Sequence, residues 1–135
     1  MLPLRHEMWW RLVDIVLLLV VLAATFMPTL WLWPRPDDAL LSDKWLHFLT
    51  FLFLSIWFAG QYARGSYWRL IVGLTAFGVL IELGQSMISY RSAEWTDLIA
   101  DTGGIVIGLA VAIAGAGGWS LRFEQWLENG GARGD

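Results

Sequence analysis

Apolar residues dominate four stretches of the chain and leave only short polar breaks between them. The first runs from about residue 10 to 33, "WRLVDIVLLLVVLAATFMPTLWLW", and the second over 45–62, "WLHFLTFLFLSIWFAGQY". The third covers about 69–88 and the fourth about 98–119. Each approaches the ~20 residues that a helix needs to cross ~30 Å of hydrocarbon. The runs are unbroken rather than alternating, which selects helices over the strands of a barrel. The pattern predicts an all-α membrane protein of four transmembrane helices, a single domain over 1–135 with short outer loops. The tail over 120–135, "SLRFEQWLENGGARGD", is expected to begin as a short surface helix and to fray at Gly130 and Gly131.

Tryptophans sharpen these boundaries. Trp9, Trp10, Trp31, Trp33, Trp45, Trp68, Trp95 and Trp119 fall at the ends of predicted spans, as an interfacial belt requires, whereas Trp57 sits well inside one. Pro28 is a kink candidate near the end of the first helix, and Pro34 and Pro36 mark the first loop. Arg5 and Arg11 ahead of an apolar run, with the small residues of "LAAT", invite comparison with a cleaved signal. The run is too long for a signal core and continues into Phe26, Met27 and Trp31, so a retained span is expected.

Basic residues give the orientation. Arg5, Arg11, Arg64, Arg69, Arg122 and Arg133 fall on the side that carries both termini, while Arg35, Lys44 and Arg91 fall on the other among several acids. The positive-inside rule then puts both termini in the cytoplasm. Composition agrees with a bilayer environment: 57% of the 135 residues are hydrophobic, 16% are charged and the mean hydropathy is +0.56. The chain suffices for one small bundle and not for two cores. A net charge of −3 argues against a nucleic-acid surface, and the absence of cysteine excludes disulfides, thiolate metal sites and cysteine nucleophiles.

Against this background a few polar residues stand out. Asp43, Lys44 and His47 lie where the second helix enters the membrane. Glu82 and Gln85, spaced i,i+3, share a face of the third. Arg91 lies in the following loop, and Asp97 and Asp101 are spaced i,i+4 in the first turns of the fourth helix. Bland roles suit some of them: Asp43 and Asp97 as N-caps or first-turn acids, Lys44 as a snorkelling cation, Glu94 as solvated loop. His6 reads as a cytoplasmic polar residue, Gln61 and Gln125 as interfacial ones, and Asp14 as an acid near enough to the surface to pair with Arg11 or reach water. Glu82 is harder to dismiss. An acid inside a span costs about 2.5–3.5 kcal/mol on insertion scales and usually faces a bundle interior with a partner, for which His47 and Arg91 are the candidates.

The elements "DKWLH" at 43–47, "ELGQ" at 82–85 and "RSAEWTDLIADTGG" at 91–104, in this order and spacing, resemble the VanZ-like family of small membrane proteins. The likeness covers about residues 25–115. It implies that Asp43, Lys44, His47, Glu82, Gln85, Arg91 and Asp97 are characteristic positions; Asp101 departs from the asparagine that relatives commonly carry there. The family takes its name from a protein linked to resistance to teicoplanin-type glycopeptides, which implies a bacterial inner (cytoplasmic) membrane location and a role near cell-envelope chemistry.

Three readings of the cluster follow. In the first, an outer-leaflet pocket recognises or modifies an envelope lipid or lipid-linked wall component. His47 and Glu82 are then the acid–base candidates; Lys44, Gln85 and Arg91 bind substrate, and Asp43, Asp97 and Asp101 orient His47 or hold a divalent cation through oxygen. A zinc site fits less well, because only one histidine is available there. In the second reading the protein is a binding or assembly module and the cluster locks helices together. The spacing Gly104-x-x-x-Gly108 permits close helix approach inside the bundle or between copies in a homo-oligomer. In the third, an oligomer forms a small transporter or proton path.

Overall fold

The computed structural model describes residues 1–26, 39–87 and 95–131, the side chains of 39–43 and 131 excepted. These residues form helices and no strand: α1 (Glu7–Phe26), α2 (Ala39–Gln61), α3 (Tyr67–Ser86), α4 (Trp95–Val111) and α5 (Trp119–Gly131), with a 3-10 turn at Arg64–Ser66 and a π turn at Ala112–Ala116.

Three stretches, Glu7–Phe26, Arg64–Ser86 and the one beginning at Trp95, are long and apolar enough to cross a membrane. The fourth expected span, α2, has ample length at 23 residues but carries Lys44, His47 and Gln61, which lower its hydropathy. Helix starts lie earlier than the apolar runs suggest, at Glu7 rather than 10, Ala39 rather than 45 and Trp95 rather than 98. Hydropathy marks where oil begins, whereas a helix can open with a polar turn whose N–H groups face water. Asp97 lies in the first turn of α4, as expected of a first-turn acid.

Contacts fix the directions of the helices. The Leu2 N–H donates to the Gln61 carbonyl at 2.7 Å, bringing the chain start beside the end of α2. At the opposite end, the Gln85 side chain donates to the Thr25 carbonyl at 3.0 Å, joining the last turns of α3 and α1. The first end, which also holds α5, is called proximal below and the second distal. α2 packs more extensively on α4 than any other pair of elements packs together.

Glycine sets that packing. A Cβ on Gly104 would lie 2.3 Å from the Phe48 carbonyl oxygen and 2.8 Å from the Leu52 nitrogen; one on Gly108 would lie 2.7 Å from the Leu52 oxygen. Backbone therefore meets backbone, and Gly104-x-x-x-Gly108 serves the interior of this bundle, in register with Phe48 and Leu52 of a parallel neighbour. Around the seam Phe51, Leu54, Leu70, Leu74, Ile81, Ile105, Leu109 and Ala112 form one buried apolar core.

The fourth predicted span ends short of 119, its α-helix passing at Ala112 into the π turn. Gly115 and Gly118 take φ of 150° and 71°, conformations that disfavour other residues, and the chain turns there into α5. α5 is the expected surface helix, but it runs through Gly130 to Gly131 rather than fraying at them.

Gly104→Val is expected to wedge α4 off α2. The overpacking cost of about 1–3 kcal/mol or more should appear as a lower melting temperature in detergent, with Gly73→Val, at a position open to space, as the matched control.

Candidate functional site

At the distal end two of the predicted residues meet directly. His47 Nδ1 and Asp101 Oδ1 lie 2.9 Å apart, the residues 6% and 2% exposed, joining α2 to α4 just before the Phe48–Gly104 contact. An ionised Asp101 would accept an Nδ1 proton at this distance and leave the imidazole lone pair on Nε2. The other Asp101 oxygen faces α3, where a Cβ on Gly78 would lie 2.7 Å from it. A larger residue at 78 would collide with the carboxylate.

Helical spacing extends the seam outward from this pair. Asp97 lies one turn from Asp101 on α4 and is buried, and Glu82 lies one turn from Gly78 on α3 and is half-buried. Lys44, Glu82 and Asp97 each have an interaction partner. Inward, Phe51 and Ile105 follow His47 and Asp101 by one turn and are fully buried, so the seam has an apolar floor. Gln85, expected to bind substrate, is 2% exposed and uses its amide N–H on the Thr25 carbonyl. Arg91, Glu94 and the side chain of Asp43 lie outside the described residues. Among the described residues no three His, Asp or Glu side chains are arranged to hold a metal ion.

A second polar locus lies at the proximal end, where Asp14 and Gln61 were assigned ordinary interfacial roles from sequence. Asp14 neither pairs with Arg11 nor faces open water. It is 9% exposed, and its Oδ1 accepts hydrogen bonds from Trp57 Nε1 at 2.8 Å and Gln61 Nε2 at 2.7 Å. Arg11 pairs instead with Glu7 on its own helix. Gln61 is wholly buried rather than interfacial, and its Oε1 has no partner among the described residues. The one mid-span tryptophan, Trp57, was the available signal: a buried indole N–H needs an acceptor, and Asp14 is an acid in another apolar helix.

Nearby, Glu124 of α5 accepts from the backbone N–H groups of Arg5 (2.9 Å) and His6 (3.1 Å) and from Trp10 Nε1 (2.9 Å). Arg5 also pairs with Glu128 at 2.7 Å. Trp10, Trp57 and Trp119 pack together, their ring centroids 5.1–6.0 Å apart. Burial pushes the Glu124 carboxyl up, but the Arg5 N–H, the Trp10 indole, the His6 N–H and the His6 charge together hold it below the usual carboxylate range.

A family model described as VanZ/LLP1 matches residues 5–116 of the chain. No curated protein and no solved structure matches it.

Two outcomes are expected at the proximal locus. Asp14→Ala leaves two buried N–H donors without an acceptor and should cost about 1–3 kcal/mol in detergent unfolding. Asp14→Asn keeps an acceptor oxygen and should cost nearer the ~0.6 kcal/mol average of an interhelical bond in a membrane. For Glu124 the folded-state pKa is depressed, so its contribution is fully present above the ordinary carboxylate pKa and is lost as pH falls through the depressed value. Protease nicking of α5 should therefore stay constant from neutral pH down to the usual carboxylate range and rise only below it, while Glu124→Gln should raise nicking at neutral pH.

Proposed function

The chain belongs to the VanZ/LLP1 family, and from that premise we propose that it is a multi-pass inner-membrane protein whose distal seam recognises or modifies a cell-envelope lipid or lipid-linked wall component. The observation that carries this reading is the buried His47–Asp101 pair, 2.9 Å apart inside an otherwise apolar bundle, with Glu82 and Asp97 one turn nearer the distal end. Ionisable groups inside a membrane protein are costly and usually mark function.

Asp101 is the orienting acid, His47 the proton acceptor or donor through Nε2, and Glu82 the second acid–base group. Arg91 and Lys44 hold the anionic phosphate or carboxylate of the ligand, Arg91 through two N–H groups at once. The positive-inside rule puts the distal end on the outer face, where wall precursors are handled. The apolar floor at Phe51 and Ile105, continuous with the core toward Leu70 and Leu109, counts against a proton or ion path through one copy of the chain.

A structural reading has its own support, since His47–Asp101 ties α2 to α4 and Gln85 ties α3 to α1. The two separate on His47→Gln, Asp101→Asn and Glu82→Gln, each assayed for folded yield in detergent and for lipid and wall-precursor profiles by mass spectrometry. A site predicts normal yield with a turnover loss of about 10²–10⁴-fold for the acid–base variants. The cell-level readout is susceptibility to teicoplanin-type glycopeptides. Yield that collapses in all three variants would sink the site in favour of the lock, and reporter fusions at residues 38 and 135 test the orientation.

A further inference from the structure

The family match ends at residue 116, three residues before α5 begins, so this amphipathic helix lies beyond the matched region. One face of α5 is fixed to the bundle: Ser120 Oγ donates to the Gly60 carbonyl at 2.5 Å, and Glu124 takes the three N–H donors from Arg5, His6 and Trp10. Stepping about 100° per residue, Phe123, Trp126 and Leu127 fall in a single arc about 100° wide, roughly a quarter-turn from the Ser120–Glu124 line. They are 45%, 67% and 51% exposed, and the Phe123 and Trp126 rings stack at 6.2 Å.

Trp119 shows which way this arc points. It lies one turn before Phe123 on the same stripe, and its Nε1 donates to the Ile56 carbonyl at 3.2 Å. Ile56 is one turn deeper along α2 than Gly60, which Ser120 reaches. Trp119 thus points from α5 along α2 toward the middle of the bundle, packed on Trp10 and Trp57, and the exposed Phe123 and Trp126 follow on the same side of the helix, away from Gln125. Arg122 reaches back to the Gly115 carbonyl at 3.0 Å, and Arg64 and Arg69 are exposed at the same proximal end, with Met8 and Trp9 also exposed there. An exposed stripe of aromatic and aliphatic side chains on a helix that follows directly on a membrane span, with polar residues on its other faces, has the chemistry of an interfacial membrane helix.

We propose that α5 lies in the headgroup–acyl boundary of the membrane its own spans cross, with Phe123, Trp126 and Leu127 buried among phospholipids and Glu124 holding it to the N-terminal segment. The occupant of the exposed stripe is lipid, not a second protein.

Because the chain has no cysteine, single-site labelling tests this directly on the whole protein. Leu127→Cys and Gln125→Cys carry a nitroxide label in vesicles of phosphatidylglycerol and phosphatidylcholine, and power saturation compares quenching by oxygen with quenching by a water-soluble nickel chelate. The label at 127 is expected about 5–10 Å below the headgroup level and the label at 125 in water. A second label at Phe123→Cys should repeat the depth at 127, which guards against a local disturbance by one substitution. Equal exposure of 125 and 127 to the nickel chelate overturns the proposal. So does a label at 127 that is immobile and shielded from both quenchers, which would place a protein partner on the stripe.

Discussion

The buried distal pair depends on how closely α4 approaches α2. The two helices run parallel, and glycines at 104 and 108 let the α4 backbone rest on the Phe48 and Leu52 backbone groups, with the small Ser55 side chain against Gly108. The neighbouring positions follow from that register. His47 and Asp101, one and three residues nearer the distal end than Phe48 and Gly104, meet there, and Phe51 and Ile105 follow them one turn inward as buried core. A bulkier contact would hold the helices farther apart, and neither the 2.9 Å pair nor its apolar floor would form. In a bilayer, where lipid tails are as apolar as leucine, packing of this kind rather than a hydrophobic driving force holds helices together.

That constraint explains what could and could not be read from the chain. The membrane setting and the all-helical class were legible because hydropathy integrates over ~20 residues, and three of the four expected spans meet that measure among the described residues. That His47 and Asp101 belong to one locus was legible because polar residues recur at i,i+3 and i,i+4 beside the same loops, although their direct pairing was not. Asp14, Trp57 and Gln61 were not. Asp14 looks like a residue near a helix end, and its partners stand 43 and 47 positions away on another helix, whose rotation about its axis hydropathy cannot supply. Gln61 appeared interfacial for the same reason. The surface helix was legible from its composition, but the early end of the fourth span was not, since glycines with positive φ at 115 and 118 separate α4 from α5.

The two ends differ in the chemistry they present. At the distal end an acid faces a base, both side chains can exchange protons, and further acids stand one turn outward. At the proximal end Asp14 and Glu124 face mainly N–H donors from indoles, an amide and the backbone. Those donors stabilise a carboxylate without offering a proton acceptor, which suits holding α1, α2 and α5 together rather than turnover. Burial alone does not separate the two cases, because Asp14 and His47 are comparably enclosed. The identity of the partner does.

The proximal carboxylates also bear on the distal site through the helices they share. α2 carries His47 near one end and Trp57 and Gln61 near the other, so Asp14 fixes the rotation of the helix that presents His47 to Asp101. A helix held by hydrogen bonds at one end and by glycine packing along its length has little freedom to turn, and an acid–base pair needs that rigidity to keep its geometry without water. Leu54, Ala59, Ile105 and Leu109 transmit the constraint as packed side chains, with no polar group needed along the way. The proximal cluster is thus best understood as the support that holds the distal pair in position.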